Sequence, residues 1–124
     1  MDEPATIRDC GAYLEAQLEP GFVIDPDSTT RVWSLIRQAI DAHGCRKVLV
    51  IGNIGGREMT VSDALESGAF VAKVLPGVRV ACCLEMHVPD EVTELFKTAA
   101  QRHGTLIGFF EQRDEAISWL LSGT

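Results

Sequence analysis

The chain has 124 residues with 18 acidic and 11 basic side chains, a formal charge of −7, and this length fits one domain able to bury about two thirds of its unfolded surface. An isoelectric point near 4.8 argues against a nucleic-acid binder, which needs a cationic surface to release phosphate counterions. An apolar fraction of 46% excludes a disordered chain, and the longest apolar runs fall far short of a membrane span.

The acidity is concentrated at the start: residues 1–30 carry seven acids and one base. Those first residues have no basic-then-apolar signal-peptide pattern, so a cytoplasmic location is expected. Within a single domain over residues 1–124, residues 1–27 read as an acidic strand or loop segment and 28–122 as the core. Tyr13–Leu18 alternates, with Leu14, Ala16 and Leu18 on one side, which suits a half-exposed strand near 12–18. The same residues have good helix propensity, with Leu14 and Leu18 at i, i+4.

Asp27, Ser28 and Thr29 are cap candidates for a helix over 28–43. Val32, Leu35, Ile36, Ala39 and Ile40 form its apolar stripe, and Gly44 stops it as a left-handed residue. Lys47–Gly52 is a short β-rich run of the kind buried on both faces of a parallel sheet. Thr60 or Ser62 caps a second helix near 61–75, broken by Pro76-Gly77. A strand near 78–84 follows. Pro89, Asp90 and Glu91 then start a helix over 89–103, with proline in the first turn and acids at the positive dipole end. Its stripe is Val92, Leu95, Phe96, Ala99 and Ala100. A strand near 105–110 and a helix near 113–122, burying Ala116, Ile117, Trp119 and Leu120, complete the chain. Helices between strands at these spacings predict an α/β fold with a mixed, mostly parallel sheet.

The chemistry-bearing residues are sparse. Cys10, Cys45, Cys82 and Cys83 lack C-x-x-C spacing, and the adjacent pair points to opposite faces of a strand, so inert buried thiols and no metal site or cofactor are expected. Gly52-Asn53-Ile54-Gly55-Gly56-Arg57 sits where phosphate loops live, yet it lacks the lysine and hydroxyl of a Walker loop and the spacing of a dinucleotide fingerprint. It reads as a turn that needs positive φ. His43 and His103 suit the last turns of their helices. Asn53, His87 and Glu111 each end or follow a strand and are candidates for a ligand edge. A lone histidine without a nucleophile or second ligand is a weak acid–base site, so no enzyme activity is expected.

Thr60 and Ser62 are either caps or phospho-acceptors, since a phosphate is tolerated at a helix N-terminus. The helix they open is apolar nearly all round, which in so small a domain points to a homodimer or partner interface near Phe70, Val71 and Val74.

Three stretches carry a resemblance to a known family: Ala42-His43-Gly44-Cys45-Arg46-Lys47-Val48-Leu49-Val50, Val78-Arg79-Val80-Ala81, and the tail from Phe109 to Leu120 with its Glu115-Ala116 and Trp119-Leu120 pairs. Together, over about residues 28–122, they resemble the SpoIIAA-like branch of the STAS-domain superfamily. The resemblance implies N-terminal antiparallel strands leading into parallel ones, packed helices, often a homodimer, and no enzymatic activity. Better-studied relatives bind a kinase partner and are switched by phosphorylating a serine in an Asp-Ser-Ser-Gly motif after the central strand. The corresponding stretch here, Gly55–Asp63, lacks that motif and offers only Ser62 or Thr60. A related lipid-binding fold adds an apolar-ligand pocket of a few hundred Å³ as the alternative expectation. The reading is a non-catalytic regulatory or protein-interaction domain.

Overall fold

The computed structural model describes residues 3–85 and 90–122. Among these, six strands form one mixed sheet: β1 (Ala5–Asp9), β2 (Leu14–Leu18), β3 (Phe22–Ile24), β4 (Lys47–Arg57), β5 (Arg79–Glu85) and β6 (Leu106–Phe109). Four helices accompany them: α1 (Pro26–His43), α2 (Val61–Val74), α3 (Glu91–Arg102) and α4 (Arg113–Ser122). The order across the sheet is β1-β2-β4-β5-β6. β1 is antiparallel to β2, and β2, β4, β5 and β6 run parallel. The expected α/β class and the mostly parallel sheet are both present.

Alternation along the central strands divides the core between two faces. Val48, Val50, Val80 and Cys82 point to the side covered by α1, α2 and α3, where the larger cluster lies. Leu49 and Ala81 point the other way, onto Ala116 and Leu120 of α4. α4 is held there by Arg79, whose Nη1 donates to the Trp119 carbonyl at 2.6 Å and whose guanidinium lies 4.6 Å from the Trp119 ring centre. Gly108 leaves room for the rings of Phe110 and Trp119, which meet tilted at 47°: a Cβ there would sit 2.8 Å from Phe110 and 3.4 Å from Trp119.

The structure corrects the expected N-terminal half in three places. First, α1 is capped by Asp25, whose carboxylate accepts from the Ser28 amide at 2.7 Å with Pro26 in the first turn. It therefore begins before Asp27, Ser28 and Thr29, and these lie inside its first turns. Second, the strand expected to end at Gly52 continues to Arg57. β2 flanks its first half (Val48–Ile51), and β3 takes over along Ile54–Arg57.

Third, Gly52, Gly55 and Gly56 are extended strand residues with no positive φ, so the glycine run is no turn. Two of these glycines serve close approach instead. A Cβ on Gly52 would lie 2.8 Å from Leu18 Cβ, and one on Gly55 would lie 2.4 Å from the Gly21 carbonyl oxygen. The gap between β2 and β3 closes directly over β4 at that point.

The other stops hold. Gly44 is left-handed at φ 71° and returns its N–H to the Ile40 carbonyl. Gly77 and Gly104 also have positive φ. Pro89, at the expected start of the third helix, lies outside the described residues. α3 opens on Asp90 as its cap.

Candidate functional site

The carboxyl ends of β4, β5 and β6 share one edge of the sheet. Asn53 lies there, exposed, in register with exposed Glu85 on β5. Glu111 is exposed two residues beyond β6, with its carbonyl 3.7 Å from Cys83 Sγ. β5 separates the two, which sets their backbones about 10 Å apart by strand spacing. His87 lies outside the described residues. Asn53 and Glu111 thus share the edge without being brought together.

Arg57, at the tip of β4, crosses to the N-terminus of α3 and grips Asp90 with both guanidinium nitrogens, at 2.7 and 2.5 Å. Asp90 also accepts from the Thr93 amide at 3.1 Å as the helix cap. The Arg57 hydrogen bonds, and then the Thr93 amide, hold the Asp90 carboxyl well below the usual carboxylate range. The Arg57 guanidinium is pushed up in return, chiefly by its hydrogen bond to Asp90. This ion pair therefore ties the N-terminus of α3 to the sheet edge.

Beneath that pair, on the three-helix side, lies a cavity of about 90 Å³. Phe22, Val50, Cys82 and Leu84 line it from the sheet, and Val32, Trp33, Ser67 and Phe96 from α1, α2 and α3, and it remains partly open to solvent. Trp33 and Phe96 stack with ring centres 6.0 Å apart and planes at 16°. The volume is below the few hundred Å³ expected for a lipid-binding pocket.

Trp33 is 6% exposed, and its indole Nε1 is a buried polar atom without a hydrogen-bond partner among the described residues. The sequence pattern passed over it because the stripe was phased on Leu35 and Ala39, which are only half-buried. The series Trp33, Ile36, Ile40 (i, i+3, i+7) was the available signal, and all three are buried.

At the start of α2, Thr60 accepts from the Asp63 amide at 3.1 Å while Asp63 accepts from the Thr60 amide at 3.0 Å, a full capping box. Ser62 is exposed in the first turn. The surface expected around Phe70, Val71 and Val74 is displaced. Val71 is fully buried, and Phe70 and Val74 are half-buried against the same core, because α2 turns that side toward the sheet. Its outward apolar row is Val61 (48% exposed), Leu65 (44%) and Ala69, spaced four residues apart.

The cysteines divide. Cys82 is buried, and burial pushes its thiol up to about 12. Cys83 is half-buried and is raised by burial and then by Glu85. Cys10 and Cys45 are half-buried as well, so the expectation of four buried thiols holds for Cys82 alone. Among the described residues, no group of three or more His, Cys, Asp or Glu side chains is placed to hold a metal ion. No described helix is long and apolar enough to cross a membrane.

On the α4 side, buried Glu15 is bracketed by Arg8 at 2.5 Å and Arg113 at 2.6 Å. The acidic N-terminal segment thus spends part of its charge inside the fold. No protein-family model matches the sequence, and no curated protein matches it.

Proposed function

We propose that the chain is a cytoplasmic, non-catalytic regulatory or protein-interaction domain of the STAS, SpoIIAA-like type, acting as a homodimer through the outward row of α2. The observation that carries this reading is the row itself: Val61, Leu65 and Ala69 lie exposed on one helix face beside Ser62, Glu66 and Lys73. Exposed large apolar side chains in one line are costly to leave wet and mark contact surfaces.

The charges on α2 favour self-pairing. Its N-terminal half carries Asp63 and Glu66, and its last turn carries Lys73. Two α2 helices packed antiparallel bring acidic half to basic end and align their dipoles favourably. The antiparallel β1–β2 pair leading into parallel strands agrees with the topology that the resemblance implies.

Ser62 flanks the row and is exposed, whereas the Thr60 hydroxyl is engaged in the capping box. Ser62 is therefore the better phospho-acceptor, and a phosphate there sets two negative charges at the rim of the interface. Sedimentation of wild type and of Leu65→Asp tests the reading. The expected result is a concentration-dependent dimer for wild type and a folded 13.5 kDa monomer for the variant. A wild type that stays at 13.5 kDa into the hundred-micromolar range overturns the homodimer.

A further inference from the structure

β1 stands at one end of the sheet order, and among the described residues no strand pairs with its outer edge. Its ladder to β2 fixes which backbone groups are free. The Glu19 amide donates to the Pro4 carbonyl and the Cys10 amide to the Tyr13 carbonyl, both at 3.0 Å, so the even-numbered residues of β1 are the ones bonded to β2. Ala5 and Ile7 therefore turn their N–H and C=O outward. Natural sheet edges are commonly blunted by a bulge, a proline or a projecting charge. From Ala5 to Asp9 the register is regular and contains no proline, and Arg8 turns its charge onto Glu15 of the neighbouring strand.

Beside this edge runs a groove. Ala5 and Ile7 line it from the strand, and Leu35, Gln38, Ala39 and Ala42 line it from α1. The two alanines leave space for the side chains of an added strand. His43 at the end of α1 meets Asp9 at the end of β1 at 3.4 Å, so helix and strand keep company along the groove. An open strand edge next to an apolar groove is the geometry of β-strand addition. Main-chain hydrogen bonds supply affinity there, and alternate side chains supply specificity.

The charges set the direction of the occupant. Exposed Glu3 and Glu19 line the groove where β1 begins, and no described ion pair engages either. Arg31 lies in the adjoining stretch of α1, so two carboxylates face one guanidinium and that end stays negative. At the other end, Asp9 is already matched with His43. Antiparallel pairing, the slightly more stable kind, places the C-terminal end of an added strand beside Glu3.

We propose that the edge of β1 takes up an extended peptide segment of a partner protein as an added antiparallel strand, with small apolar side chains opposite Ala5 and Ile7 and a lysine or arginine at its C-terminal end beside Glu3 and Glu19. This surface belongs to β1 and α1, apart from the outward row of α2, and it stands whether or not the chain dimerises there.

The test is an NMR titration of the labelled full chain with the end-capped heptapeptide TTVTVTK, whose valines face Ile7 and Ala5 and whose lysine faces Glu3 in the antiparallel register. The Ala5 and Ile7 amides are expected to shift downfield saturably and to gain about tenfold or more protection from hydrogen exchange. The Thr6 and Arg8 amides, already bonded to β2, change little. N-methylation of either valine removes a donor to β1 and abolishes binding, whereas N-methylation of the threonine between them, whose N–H points away, leaves binding within about threefold. Exchanging the peptide's lysine for glutamate weakens binding about five- to tenfold, and the double variant Glu3→Lys, Glu19→Lys reverses that preference.

No shift at Ala5 and Ile7 up to about 1 mM peptide overturns the site. Equal effects of the three N-methylations overturn the added strand, and equal affinity for the lysine and glutamate peptides overturns the basic end. Protection of the Ala5 and Ile7 amides that rises with protein concentration alone makes a second copy the occupant and overturns the partner peptide.

Discussion

Gly68→Ala probes the closest approach in the molecule's helix layer. Gly68 is buried in the middle of α2, and a Cβ built there lies 2.6 Å from both Ala99 Cβ and the Phe96 carbonyl oxygen of α3. In an exposed helix, the substitution gains about 1 kcal/mol of helix propensity. Here the added methyl forces α2 and α3 apart by about 1 Å, and overpacking of this kind typically costs 1–3 kcal/mol. One obstructing atom is backbone, which no rotamer change relieves, so the upper part of that range applies and the net loss is about 1–2 kcal/mol. For a chain of this size, that loss lowers the melting temperature by roughly 5–10 °C. Thermal unfolding followed by circular dichroism, with a urea titration for the free energy, measures it. Adding Ala99→Gly removes one of the two clashes, and the double variant is expected to be more stable than the sum of the singles by over ~0.5 kcal/mol. A neutral or stabilising Gly68→Ala refutes the close crossing of α2 and α3.

The same logic separates two adjacent glycines of β4. Gly55→Ala meets the Gly21 carbonyl at 2.4 Å and is expected to destabilise by about 2 kcal/mol or more, whereas Gly56→Ala meets nothing within 4 Å and is expected to be near neutral, as urea midpoints will show. Asp90 has a depressed folded-state pKa, so its contribution is present above the unfolded value near 4 and fades as the pH falls below it. The pair is partly exposed, so about 1 kcal/mol is at stake, and Asp90→Asn, which keeps the cap, is expected to flatten stability against pH between about 4 and 2. With its thiol near 12, Cys82 is about one part in ten thousand thiolate at pH 8. A thiol-reactive dye is therefore expected to label Cys10, Cys45 and Cys83 first and to reach Cys82 only on unfolding. Glu15→Gln leaves Arg8 and Arg113 without their shared carboxylate and is expected to cost 1–3 kcal/mol, more than Arg8→Met, because Glu15 is buried and Arg8 is exposed.

The elements that were legible in the sequence are those whose signal is local. The stripe of α1, the two-sided burial of Val48–Val50 and the stops at Gly44 and Gly77 follow from periodicity and turn chemistry, and α4 matches its expected span. β1 and β3 were not legible. β1 is a five-residue edge strand paired only to β2, and β3 is three residues long, so neither is long enough for a period to show.

The glycine run of β4 resembles a turn by composition. Its purpose, the approach of Leu18 and Gly21, depends on residues more than thirty positions away. The partial burial of Val74 and Phe70 against an exposed Leu65 has the same cause. A helix apolar on every side carries no sequence mark of the side that faces the sheet. Trp33 was within reach of the pattern, but its unpartnered N–H and the cavity it borders arise only from the packing of three helices on the sheet.

The homodimer through α2 is tested most directly by isotope-filtered NOE spectroscopy on a mixture of labelled and unlabelled chain. Intermolecular cross-peaks are expected between the methyls of Val61, Leu65 and Ala69 and those of the second copy, and they are expected to vanish in Leu65→Asp. Cross-peaks confined instead to Leu106 or Leu121, the exposed apolar residues on β6 and α4, or no intermolecular cross-peaks at all, contradict the account.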